Sequence, residues 1–171
     1  MKIFVIGFMG AGKTTYGKKL ARHLNFDFID LDTYIVNKTG KSINQIFKKE
    51  GEKYFRNLET ENLRLLRETN NIIISVGGGA PCFHDNMNWM NENGITIYLK
   101  LDSASIYSRL SKAKAERPLI AEKSKSEILE YIKNTLKERG AFYEQANIVI
   151  DSKDLSTKKF AEIIKDYLSS I

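Results

Sequence analysis

The sequence predicts an α/β fold built on a parallel sheet, in one domain. Two observations carry this. Short apolar runs, several of them β-branched, alternate with amphipathic stretches of helix length. The chain's 171 residues suit a single domain with a sizeable core.

Residues 2–6 form a short apolar run before Gly7 and read as a buried strand. Residues 13–24 follow as a helix with Leu20, Ala21 and Leu24 on one face. Residues 27–31 read as a second strand. Ser42 and Gln45 make a capping box that opens a helix to about Glu50. A longer helix covers 52–69, and the β-branched run 72–76 is a strand ending at Gly77-Gly78-Gly79. A helix over 84–93 stops at Gly94, and residues 95–101 are the next strand. A helix from Ser103 to Leu110 precedes a polar, charged stretch, 111–123, that reads as a long loop, either functional or disordered. Ser124 and Glu127 cap a helix to about Gln145, residues 147–151 form the last strand, and 156–169 a closing helix.

Hydrophobic residues at 42% and charged residues at 28% describe ordinary globular material. A single cysteine, Cys82, excludes an internal disulfide framework and fits a reducing compartment. No apolar run approaches the ~20 residues that cross a bilayer, so no membrane association and a cytoplasmic location are expected. The net charge of +6 has two readings, nucleic-acid binding or a lysine-rich surface around a site for anions. No basic run is interleaved with aromatics, so no nucleic-acid partner is expected.

Gly7-Phe8-Met9-Gly10-Ala11-Gly12-Lys13-Thr14 matches G-x-x-x-x-G-K-[ST] between a predicted strand and a predicted helix. Glycines let backbone N–H groups wrap a phosphate, and the helix N-terminus adds partial positive charge. Lys13 then reaches the β- and γ-phosphates and the Thr14 hydroxyl binds Mg²⁺. The motif names a nucleoside triphosphate and leaves the second substrate open.

Asp30-Leu31-Asp32 ends the second strand, where alternation puts both carboxylates on one side at the ligand-binding edge. One carboxylate can hold Mg²⁺ through water and the other accept a proton from a hydroxyl, or Asp32 caps a following helix. Arg56 and Glu59, at i and i+3, form either a surface ion pair or an oriented fork that grips a carboxylate. Ser75 stands where a strand-end aspartate is usual, and Gly77-Gly78-Gly79 marks either a close ligand approach or an awkward turn. Arg117, in the 111–123 loop, fits a lid arginine on the transferring phosphoryl group. Arg117 and Arg139 each also read as plain surface charge.

Gly7 to Thr14, Asp30-Leu31-Asp32, Phe55-Arg56-x-x-Glu59, Gly77-Gly78-Gly79, Arg117-Pro118 and Arg139 together resemble the shikimate kinase family, in its order and spacing, across nearly the whole chain. The resemblance implies a three-layer α/β/α architecture. Its sheet is five-stranded and parallel, in the nucleoside-monophosphate-kinase-like form of the P-loop NTPase fold. It implies one kinase domain over 1–171, a shikimate-binding region at about 32–60 and a lid at about 111–123. The implied activity is ATP-dependent phosphorylation of the shikimate 3-hydroxyl, in the shikimate pathway of aromatic amino acid biosynthesis. Apart from the resemblance, no unexplained apolar stripe is found, so a monomer is expected.

By the same resemblance ATP is held by Gly10, Ala11, Gly12, Lys13, Thr14 and Thr15, with Arg109 against adenine and Arg117 on the phosphates. Mg²⁺ is held by Thr14 and, through water, by Asp30 and Ser75. Asp32 binds the shikimate hydroxyls and is the candidate base, Arg56 and Arg139 hold the shikimate carboxylate, and Gly78, between Gly77 and Gly79 in the binding turn, donates its backbone N–H to the substrate. Phe47 and Phe55 wall the pocket. Pro81-Cys82, and the lack of a proline in Ser152-Lys153-Asp154-Leu155, depart from the family pattern. A gluconate or nucleotide kinase, and a nucleotide-binding module without catalysis, are the alternative functions.

Overall fold

The structure, a computed structural model, describes residues 1–112 and 124–170. Five strands form one parallel sheet in the order β2-β3-β1-β4-β5. They are β1 (Lys2–Ile6), β2 (Asp27–Asp30), β3 (Ile72–Ser75), β4 (Ile95–Lys100) and β5 (Ile148–Asp151). The helices among the described residues are α1 (Lys13–Leu24), α2 (Leu31–Thr39), α3 (Ile43–Leu65), α4 (Asn86–Asn93), α5 (Ser103–Lys112), α6 (Lys125–Tyr143) and α7 (Thr157–Ser170).

Strand alternation divides the core into two layers. Ile3, Val5, Ile73, Ile97 and Leu99 face α1 and α7, where Leu20, Phe160 and Ile164 are buried. Phe4, Ile6, Ile72, Ile74 and Tyr98 face the other way, against Ile35, Leu63 and Met87 of α2, α3 and α4. Both faces are apolar because a parallel sheet is covered on both sides. A third cluster, Phe8 with Leu101, Ile106, Ile128 and Ile132, joins the base of the first loop to α5 and α6.

Chain order fixes where a ligand crevice opens. From β1 the chain runs through α1 to β2 on one side; from β3 it crosses past β1 to β4 on the other. The strand order therefore reverses at the β1–β3 pair, and a crevice lies beyond their carboxyl ends. The Gly7–Thr14 loop leaves β1 there, and the Gly77–Gly79 turn leaves β3 beside it.

Two local expectations need correction. The second strand stops at Asp30, and Leu31 already begins α2, the helix that the Asp32 capping alternative expected to begin after Asp32. The helix cap is Asp30, whose side chain accepts from Thr33 N at 3.3 Å, and Asp32 sits in the first helical turn. The carboxylates thus come from a strand end and a helix start, not from alternate strand positions. The two helices expected over 42–69 are both present: α3 is broken by a kink at Gly51 (φ 84°, ψ 170°), and its second part closes in a 3₁₀ turn over Leu66–Glu68. Both capping boxes are present: Gln45 N donates to Ser42 Oγ at 3.2 Å and Glu127 N to Ser124 Oγ at 3.3 Å.

Candidate active site

The loop after β1 begins the site. Gly12 takes φ 99° and caps α1 from the left-handed region, which glycine adopts without a Cβ penalty. A Cβ there would come within 3.0 Å of the Tyr16 ring. Lys13 Nζ donates back to the carbonyls of Gly7 (2.9 Å) and Phe8 (3.1 Å), so its ammonium lies over the loop's mouth. Thr14 Oγ1 donates to Asp30 Oδ2 at 2.7 Å. Parallel register sets Asp30 beside Ser75, and Ser75 beside Val5. Gly10, Gly12, Lys13, Thr14, Thr15, Asp30, Asp32, Ser75, Gly78 and Arg109 all line one cavity of about 420 Å³. Thr14, Asp30 and Ser75 present hydroxyl and carboxylate oxygens, a donor set that suits a hard divalent cation such as Mg²⁺.

Arg109 reaches this cavity from α5. Its guanidinium donates to Ala11 O (3.0 Å) and to Ser152 O (3.0 Å), tying the phosphate-loop backbone to the segment after β5. Arg117 lies outside the described residues.

The second half of the site is built on α3. Arg56 is only 8% exposed and Glu59 is fully buried. Arg56 Nη1 donates to Glu59 Oε2 at 2.8 Å, and Nη2 to Glu52 Oε1 at 3.2 Å. The pair is therefore interior and oriented, which excludes the surface-pair alternative. Aromatic rings surround the guanidinium: Phe83 at 4.6 Å, Phe55 at 5.2 Å and Phe47 at 5.9 Å from its carbon. Phe47 and Phe55 touch each other, with ring centroids 4.7 Å apart. The glycine triplet is what admits this cluster. A Cβ on Gly79 would lie 2.5 Å from Arg56 Nη2, and one on Gly77 would collide with Glu59 Oε1. Glu59 Oε1 is buried with no hydrogen-bond partner.

Burial dominates the electrostatics. It pushes the Glu59 carboxyl up to about 7, against the pull of Arg56 and with a smaller push from Asp32. Burial also raises the Asp32 carboxyl, with Asp30 adding to the rise and Lys13 and Arg56 opposing it. Asp32 thus sits between the ammonium of the phosphate loop and the guanidinium of α3. A carboxylate so held is a better proton acceptor than a solvated one. The Cys82 thiol is pushed up to about 11 by burial, and so stays a thiol at neutral pH.

Sequence reasoning missed three members of this site. Glu52 was legible in principle, because it precedes Arg56 by four residues on a helix. Phe83 and Tyr143 had no local signal. Tyr143, fully buried at the end of α6, donates its hydroxyl to the carbonyl of Gly78.

A glycine-rich loop, lysine and threonine at the switch point of a parallel sheet, beside an aspartate and a buried arginine, define a P-loop small-molecule kinase. Comparison with known proteins makes this particular. The shikimate kinase (SKI) family model matches residues 9–169. A shikimate kinase of Bacteroides fragilis is 44% identical over 162 residues, covering 95% of this chain and 90% of that protein. The crystal structure of a shikimate kinase from Bacteroides thetaiotaomicron superposes with a TM-score of 0.95 at 39% identity, covering 99% of this chain and 98% of the other. A shikimate kinase from Acinetobacter baumannii in complex with shikimate gives 0.87 at 34% identity, covering 99% and 93%. A deoxyadenosine kinase from M. mycoides, 19% identical with a TM-score of 0.62, shares the fold. The chain belongs to the shikimate kinase family.

Proposed function

We propose that this kinase transfers the γ-phosphoryl group of ATP to the 3-hydroxyl of shikimate, giving shikimate 3-phosphate and ADP. One observation carries the reading. The cavity of the phosphate loop is lined by Asp32, and the carboxylate of Asp32 also feels the buried Arg56, whose guanidinium lies among the Phe47, Phe55 and Phe83 rings.

The residue roles follow from that arrangement. The loop through Gly10, Ala11 and Gly12, with Lys13, Thr14 and Thr15, cradles the phosphates. Arg109 borders the adenine side, and Arg117 acts on the transferring phosphoryl group. Thr14, Asp30 and Ser75 would hold Mg²⁺, which would supply positive charge against the triphosphate. Arg56 and Arg139 fix the shikimate carboxylate, with Gly77, Gly78 and Gly79 giving backbone contact, and Asp32 receives the proton of the 3-hydroxyl. Positioning and charge stabilisation supply most of the rate. A single domain with its acceptor region at about 32–60, a monomeric state and a cytoplasmic location belong to the same proposal. Among the described residues no helix is long and apolar enough to cross a membrane.

Steady-state ADP release tests the reading. With Mg·ATP, shikimate is expected to stimulate release strongly. Lys13→Ala should lower the shikimate-dependent rate by about 10²–10³-fold or more, the range for losing one preorganised charge donor. Absence of shikimate stimulation in the unaltered protein would reject the acceptor. An unchanged rate in Lys13→Ala would reject the phosphate-loop role.

A further inference from the structure

Tyr143 closes α6 and is fully buried. Its ring leans on Tyr98 of β4, with centroids 5.0 Å apart. Packing alone accounts for a ring there, but not for a hydroxyl, since a buried phenol needs polar partners. Both partners of this hydroxyl belong to the acceptor half of the site. It donates to the carbonyl of Gly78. It also lies within hydrogen-bonding reach of Arg139, one turn earlier on the same helix face. Gly78 in turn touches the phosphate loop: a Cβ there would stand 3.4 Å from Gly7 O and 3.8 Å from Arg139 Nη1.

We infer that Tyr143 is a positioning residue for shikimate, its hydroxyl locking the Gly78 peptide and the Arg139 guanidinium into one arrangement. This rests on the reading of the acceptor given above. The Gly78 carbonyl belongs to the peptide whose N–H is that of Gly79. Fixing it sets the tilt of the turn that faces the acceptor. The Tyr143 hydroxyl oxygen also accepts a hydrogen bond from the Arg139 guanidinium and so holds that side chain toward the turn, not toward solvent. Two cationic and backbone contacts, from segments 61 residues apart in the chain (139 − 78), are joined by one oxygen. Burial raises the phenol far above its ordinary value, so the hydroxyl remains a donor throughout the working pH range. It passes no proton in the reaction.

Steady-state kinetics of Tyr143→Phe, with Tyr98→Phe as the control, test this. Phenylalanine keeps the stacked ring and removes only the hydroxyl. The KM for shikimate should rise by about tenfold, while the KM for ATP stays within about twofold. Tyr98→Phe, which removes the other hydroxyl of the same stacked pair without touching Gly78 or Arg139, should leave both values within about twofold. An unchanged shikimate KM in Tyr143→Phe, an equal rise in both KM values, or the same rise in Tyr98→Phe overturns the inference. If Tyr143→Phe does not fold, 3-fluorotyrosine placed at 143 decides the point. That substitution keeps ring and hydroxyl but makes the oxygen a poorer acceptor for Arg139. A raised shikimate KM alone then supports the role, and no change overturns it. Failure of the unaltered protein to turn over with shikimate rejects the acceptor reading instead, and is seen before either variant is measured.

Discussion

Asp32→Asn is expected to lower kcat by about 10²–10⁴-fold, the range for a general base. Asparagine is nearly isosteric and can still accept a hydrogen bond from the substrate hydroxyl, so the shikimate KM should change much less. The structural ground is that Asp32 stands in the first turn of α2, between Lys13 and Arg56, with its carboxyl raised by burial. The sign of the pH effect follows. The base must be ionised, so kcat should fall as pH drops through a value above the ordinary 3.8. That acidic limb should vanish in Asp32→Asn. A loss smaller than about tenfold, with the limb retained, would mean that Asp32 orients the hydroxyl and takes no proton.

Arg56→Ala should cost about 2–5 kcal/mol of transition-state binding, most of it in shikimate KM. Truncation removes the cation and also strips Glu59 of its partner inside the protein. Glu59 Oε1 already lacks a hydrogen bond, and the Arg56 contact holds Oε2 at 2.8 Å. Glu59 in the variant should therefore bind its proton more tightly. Arg56→Lys keeps the charge but not the planar fork or the stacking on Phe83, and should recover only part of the loss. Kinetics with shikimate and ATP varied separately check this. An ATP KM that rises as much as the shikimate KM would contradict the assignment.

How much of this was readable before folding depends on how local each signal is. The phosphate loop was complete in the sequence because its chemistry lies within eight consecutive positions, Gly7 to Thr14. Ser42 with Gln45, and Ser124 with Glu127, were legible for the same reason: a capping box spans one turn. The Asp30–Asp32 segment was misread because strand alternation and a helix start give the same spacing of polar residues over three positions. The distinction rests on Asp30 capping Thr33, which only the folded backbone displays. Arg56 and Glu59 could be paired from spacing, but nothing local says whether the pair is buried. That is decided by Gly77 and Gly79, which have no Cβ to keep it out. Tyr143 was beyond reach, since its partner is a backbone carbonyl 65 residues away.

The account stands most directly on the identity of the product. Phosphorus NMR of the protein incubated with Mg·ATP and shikimate should show one new phosphomonoester resonance. It should be coupled to the proton on carbon 3 of the ring and appear in step with ADP. ADP formed without that resonance, or a phosphoester on another carbon, would contradict the proposed reaction.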